Sequence, residues 1–270
     1  MNLGLLAFAA LALAACSVSQ DQETQLGQEG AAQIDSQLPI LRDALVTNYV
    51  NALGLAMART TSRADLGWRF SVVNTDVVNA FALPGGYIYV NRGLIDRAAN
   101  ESELASVLGH EIEHVVERHS VKQMEKAQGA NVIVGLACHL TNICNSGVGQ
   151  VAIQVGGSAV FAKFGRTAET QADSGGFQNE WRAGLDPRGM LSFFERLLAE
   201  EHRQPALLAW FADHPGTDDR ISHVRRMLAE IPQSELRSLR ADSPEFQAMK
   251  RQLEHLPSAP SPPSARRQLP

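Results

Sequence analysis

Two histidines four residues apart, with a glutamate directly after the first, are the residues of this chain best suited to chemistry: His110-Glu111-Ile112-Glu113-His114. On a helix, residues i and i+4 sit on one face a turn apart, so both imidazoles can reach one ion. Neutral imidazole nitrogen suits zinc, and Glu111 projects beside the pair, where its carboxylate can take a proton from the attacking water. The pattern points to metal-assisted hydrolysis, with His110 and His114 as ligands and Glu111 as general base.

A catalytic zinc site takes three protein ligands and keeps one position open. The metzincin route to a third ligand requires glycine at 117 and histidine at 120, where the chain has Glu117 and Ser120. His119, His139 and Glu169 are the remaining candidates. His119, five residues past His114 on the same helix, is expected to point away from the pair and lie at the surface. His139 sits between two cysteines in an uncharged stretch, where a histidine is more often a satisfied polar group. Glu169 opens Glu169-Thr170-Gln171-Ala172-Asp173 and, by itself, reads as an acid favoured at a helix N-terminus.

The elements that must position these groups follow from periodicity. Asn100 followed by Glu103 suggests a capping box, and Leu104, Val107, Leu108, Ile112 and Val115 keep helical spacing, which predicts one long helix over 101–128. Helices are predicted over 40–59, 168–183, 187–201, 217–230 and 243–255, and strands over 68–74, 77–83 and 86–91, the last two separated by Pro84-Gly85-Gly86. The runs Ala130–Leu140 and Val148–Ala162 of the uncharged stretch 127–162 are shorter than the ~20 residues of a membrane-spanning helix. That stretch is expected to be a buried helical hairpin or, alternatively, an interfacial or substrate-covering lobe.

The chain has 270 residues and a formal net charge of −5, which suits a globular domain and argues against a nucleic-acid partner. Residues 1–16 read as an export signal ending in Leu13-Ala14-Ala15-Cys16, similar to a lipobox that would make Cys16 a lipidated anchor in a membrane. Ser17 suits outer-membrane sorting. Residues 17–30 are expected to be a tether, 31–256 the folded domain, and 257–270 a disordered Pro/Ser-rich tail. Export would place Cys138 and Cys144 in an oxidising compartment; a disulfide between them and two separate buried thiols are both open.

The two-histidine motif does not stand alone. The sequence carries Asn79-Ala80-Phe81-Ala82-Leu83-Pro84-Gly85-Gly86 upstream, Glu169 to Asp173 downstream and then His214-Pro215-Gly216-Thr217-Asp218-Asp219-Arg220-Ile221. In this order, over about 31–230, they resemble the HtpX/BepA/LoiP-like zinc metallopeptidases related to the CAAX prenyl endopeptidases. The resemblance implies a mainly helical α+β, gluzincin-type domain with a small β-sheet beside the active-site helix. It implies one zinc per chain on His110, His114 and Glu169, with Asp173 as the acidic partner that orients an imidazole. It places His214 and Arg220 near the reacting centre, where either could stabilise the oxyanion. Alternatively, His214 could fill the open metal position and silence the resting enzyme. Gly85, Gly86 and Tyr87 would present a strand edge on which an extended substrate pairs.

The function implied is a zinc endopeptidase on the periplasmic side of a bacterial envelope, acting on misfolded or unassembled envelope polypeptides. The spanning helices of prenyl-processing relatives are absent from this sequence, which argues against that role. The rival is a non-hydrolytic chaperone-like protein that binds extended envelope chains in the same groove.

Overall fold

A computed structural model describes residues 18–126, 164–201, 214 and 216–257. In chain order its elements are α1 (Gln20–Gln37), α2 (Ala44–Ala58), β1 (Arg69–Val73), β2 (Ala80–Leu83), β3 (Tyr87–Asn91), α3 (Arg92–Arg97), α4 (Glu101–Val116), α5 (Arg166–Arg182), α6 (Arg188–Glu201), α7 (Thr217–Glu230), α8 (Gln233–Leu236) and α9 (Pro244–His255). The domain is mainly helical with one small mixed sheet, the α+β architecture expected of a gluzincin-type peptidase. Cys16, Cys138, Cys144, His139, the stretch 127–162 and the tail from 258 lie outside the described residues, and among those described no helix is long and apolar enough to cross a membrane.

α4 is the centre of the fold. Asn100 caps it, its side-chain oxygen accepting from Glu103 N at 3.0 Å, and the Glu103 carboxylate reaches back to Ala99 N at 2.8 Å. Every residue from Glu101 to Ile112 is buried. Leu104, Val107, Leu108 and Ile112 fill one continuous apolar core with Val46, Val50 and Met57 of α2, Ile88 and Val90 of β3, and Phe193 and Leu197 of α6. An amphipathic stripe cannot do this; a helix buried on several faces must be covered on each of them.

The sheet runs β1-β3-β2, with β1 parallel and β2 antiparallel to β3, in a register that aligns Phe70, Ile88 and Ala82. β3 is therefore the middle strand, hydrogen-bonded on both sides. This corrects the expectation that Gly85, Gly86 and Tyr87 lead into an edge for substrate: both edges of the strand they open are already taken. Gly85 and Gly86 instead build a tight turn with φ of 78° and 99°, a conformation that side chains rarely adopt. A Cβ on Gly86 would also press on Trp68 Cα at 3.3 Å.

The expected tether is also corrected. From Gln20 onward it is helix α1, opened by a reciprocal capping box between Ser19 and Gln22. α1 lies over the outer face of the sheet, where Ala31 packs with Val73, Leu83 and Tyr89. Its Glu23 is 1% exposed and collects Arg63 at 2.8 Å, Arg118 at 2.8 Å and Gly85 N at 3.4 Å. A polar, Gln-rich sequence folds here because one buried carboxylate meets two guanidinium groups contributed from far along the chain.

The predicted helix 101–128 is broken. α4 ends at Val116, Arg118 takes a left-handed φ of 55°, and helical turns resume at 119 and run to 126. Arg118 is held in this conformation by Glu23 at 2.8 Å, while Arg63 donates to Val115 O, one of the last carbonyls of α4, at 2.9 Å. The first predicted helix also shortens. It starts at Ala44 because Asp43 accepts from Val46 N at 3.0 Å, and Ile40 instead bridges to Val73 beside β1.

α4 and α5 touch backbone to backbone. A Cβ on Gly176 would stand 2.7 Å from His110 N, and one on Gly109 would stand 3.0 Å from Gly176 O. Further along the same interface Ser106 Oγ lies 2.8 Å from both Ser102 O and Glu180 Oε2, and burial pushes the Glu180 carboxyl well above the usual range. A protonated Glu180 can donate to Ser106, which then donates to Ser102.

Gly176→Ala should force the two helices apart, at a cost of about 1–3 kcal/mol from overpacking, partly offset by ~1 kcal/mol of helix propensity. A lower Tm together with weaker metal binding is the expected result. Unchanged metal affinity would show that the close approach does not set the site.

Candidate metal centre

α4 brings His110 and His114 against α5, which supplies Glu169 from its first turn and Asp173 one turn later. All four are buried. His110 Nε2 lies 2.9 Å from His114 Nε2 and 3.5 Å from Glu169 Oε2, and Glu169 Oε1 lies 3.7 Å from His114 Nε2. Two ligands of a tetrahedral zinc stand ~3.3 Å apart when zinc–nitrogen bonds are ~2.05 Å. The three side chains converge as ligands do. His214 Nδ1 adds to the group, 3.1 Å from Glu169 Oε1 and 3.2 Å from His110 Nε2. One donor atom from each of these four residues falls within 4.8 Å of all the others.

The outer contacts aim the donors. An ionised carboxylate can only accept, so the 2.9 Å contact between His110 Nδ1 and Asp173 Oδ1 puts the imidazole proton on Nδ1 and leaves the Nε2 lone pair for an ion. The His114 ring is stacked under Phe164 with centroids 4.1 Å apart.

Arg220 stands behind the ligands. Its Nε and one terminal nitrogen grip Asp173 at 2.7 and 2.6 Å, and the other terminal nitrogen lies 3.1 Å from Glu169 Oε2 and donates to His214 O at 3.2 Å. Phe194 covers the guanidinium at 4.5 Å. Oxyanion stabilisation by Arg220 was one expectation from the sequence; in the structure its donors are turned to the carboxylates and the His214 carbonyl.

The electrostatics favour a cation. Burial, reinforced by Arg220, pushes the His110 imidazole down to about 4, and burial followed by the neighbouring histidines holds His114 well below its ordinary value. Burial alone would raise Asp173, yet the charge and hydrogen bonds of Arg220 hold it well below the usual carboxylate range. Burial also opposes ionisation of Glu169, but the hydrogen bond with His214 and the charges of His214, His110 and Arg220 together hold its carboxyl below the ordinary value. His214 is shifted the other way: burial would lower it, and Glu169 and Glu111 raise it. Among the described residues, the carboxylates of Glu111, Glu169 and Asp173 outnumber the one guanidinium that faces them, that of Arg220, and a divalent ion would balance the excess negative charge. The donor set of two imidazoles and a carboxylate, with an acid beside them, fits zinc.

The model of peptidase family M48 matches residues 44–228. The chain belongs to peptidase family M48. It is 31% identical over 221 residues to the Beta-barrel assembly-enhancing protease of Escherichia coli (strain K12), covering 78% of this chain and 45% of that protein. It is 29% identical over 230 residues to Metalloprotease LoiP of the same strain, covering 84% of this chain and 89% of that one. With the Mitochondrial metalloendopeptidase OMA1 of Schizosaccharomyces pombe it shares 29% over 218 residues, or 79% of this chain and 63% of the relative. The chain spans less than half the length of the first of these relatives.

The structure thus brings together His110, Glu111, His114, Glu169, Asp173, His214 and Arg220, while Gly85, Gly86 and Tyr87 serve the sheet and the docking of α1. The surface placement expected for His119 is corrected: it is 6% exposed, with Nδ1 2.9 Å from His114 Nδ1. The left-handed turn at Arg118 re-aims the residues after it, and no local sequence signal marks it, since arginine rarely takes that conformation.

Arg220→Met would leave Asp173 and Glu169 buried without their cation. The expected loss is about 3–5 kcal/mol, read as a Tm lower by roughly 6–20 °C in the metal-free protein. A Tm within ~2 °C of wild type would contradict this role.

Proposed function

We propose that this chain is a zinc-dependent endopeptidase of the bacterial cell envelope that hydrolyses misfolded or unassembled envelope polypeptides. The convergence of His110, His114 and Glu169 in a buried group beside Glu111 carries this reading, and family membership supports the reaction class. Relatives named as proteases support polypeptide substrates. The lipobox-like Leu13-Ala14-Ala15-Cys16 supports export and a lipid anchor on Cys16, on the periplasmic face of the outer membrane.

Zinc bound there would act as a Lewis acid on the attacking water and the scissile carbonyl. Glu111 takes the proton released by the water as it attacks and delivers it to the leaving amine. His110, aimed by Asp173, and His114 present neutral Nε2 atoms, and Glu169 is held ionised by Arg220 and His214. Burial of the whole group strengthens each of these interactions.

For His214 we adopt the resting-state role. Its Nδ1 belongs to the donor group, and its Nε2 reaches Glu111 Oε1 at 3.6 Å, so the imidazole stands where water and substrate must enter.

Casein cleavage and bound zinc, measured together, test both assignments. Glu111→Gln should keep its zinc and lose about 10²–10⁴ in kcat. His214→Ala should cleave faster than wild type, whereas a role on the oxyanion would instead lower kcat by about 10²–10³. Equal cleavage by wild type and Glu111→Gln would refute the mechanism.

A further inference from the structure

We propose that His119 is a positioning residue for His114, acting with Gln171 to fix which nitrogen of His114 faces the metal. The proposal rests on the reading of His114 as a metal ligand.

Three side chains form a line. His114 Nε2 belongs to the donor group, its Nδ1 is 2.9 Å from His119 Nδ1, and His119 Nε2 is 3.0 Å from Gln171 Oε1. Two imidazole nitrogens at 2.9 Å must share one hydrogen, so one donates and the other accepts. The Gln171 oxygen can only accept, which puts a hydrogen on His119 Nε2 and, in a neutral ring, leaves His119 Nδ1 as acceptor. His114 must then donate from Nδ1, and its Nε2 lone pair is turned to the metal position. A single assignment satisfies every member.

The result parallels the device on the other ligand. Asp173 does for His110 what His119 does for His114, and both partners depend on the first two turns of α5, through Asp173 itself and through Gln171. Ligating imidazoles are usually held in this way through the nitrogen that does not bind the ion. The helix alone would not bring His119 here. The left-handed Arg118, tied to the buried Glu23 at 2.8 Å, turns the chain so that His119 folds back on His114. The N-terminal helix is therefore part of what holds the ligand in place.

Zinc affinity by chelator competition and imidazole tautomers by nitrogen NMR of the zinc-loaded protein test the proposal. Wild type should bind one zinc with the proton of His114 on Nδ1 and that of His119 on Nε2. His119→Phe, which keeps a ring beside Phe164, should raise the zinc Kd about 10–100-fold. His119→Gln, whose amide oxygen can accept from His114, should recover part of the loss, and Gln171→Leu at an exposed position should weaken binding less than His119→Phe. A His119 proton on Nδ1, or His119→Phe binding zinc as tightly as wild type, would overturn the role while leaving His114 a ligand. Absence of zinc binding by wild type would overturn the ligand reading itself.

Discussion

The site depends on two helices that touch backbone to backbone at Gly109 and Gly176. α4 carries the imidazoles and α5 the carboxylates, and neither helix alone can surround an ion. A side chain at either glycine would separate them by the width of a methyl group, which matters where ligand atoms must agree to within a few tenths of an ångström. The core serves this contact. Leu104, Leu108 and Ile112 pack α4 into the core, α7 packs on α5, and Phe194 of α6 covers Arg220 from behind.

Burial then sets the charges. Desolvation keeps His110 and His114 neutral, the form in which imidazole binds a metal, and the same desolvation opposes ionisation of Asp173, which Arg220 offsets, and of Glu169, which His214 offsets with smaller help from His110 and Arg220. Arg220 thus acts through the ligands. One buried guanidinium holds the carboxylate that aims His110 and the carboxylate that joins it, and the negative charge left over is what a divalent cation offsets.

Much of this site is legible in the sequence because it is local. The four-residue spacing of His110 and His114 and the cap at Asn100 need only one helix, and the observed α4 begins where the cap predicts. Glu169 and Asp173 are legible only through family resemblance, since their partners lie across a helix–helix contact that spacing does not encode. What was misread is non-local. β3 appears as an exposed strand until its pairing with both β1 and β2 is known. α1 appears as a tether because its sequence is polar, and its fold comes from Glu23 meeting Arg63 and Arg118. That same ion pair holds the turn at Arg118, so the misreading of α1 and that of His119 share one cause.

X-ray absorption at the zinc edge of the purified protein tests the central claim most directly. The account predicts one zinc per chain with only nitrogen and oxygen neighbours at ~2.0–2.2 Å and multiple-scattering features of two or three imidazoles. A sulfur shell near ~2.3 Å would place the metal on cysteine thiolates and contradict the assignment to His110, His114 and Glu169.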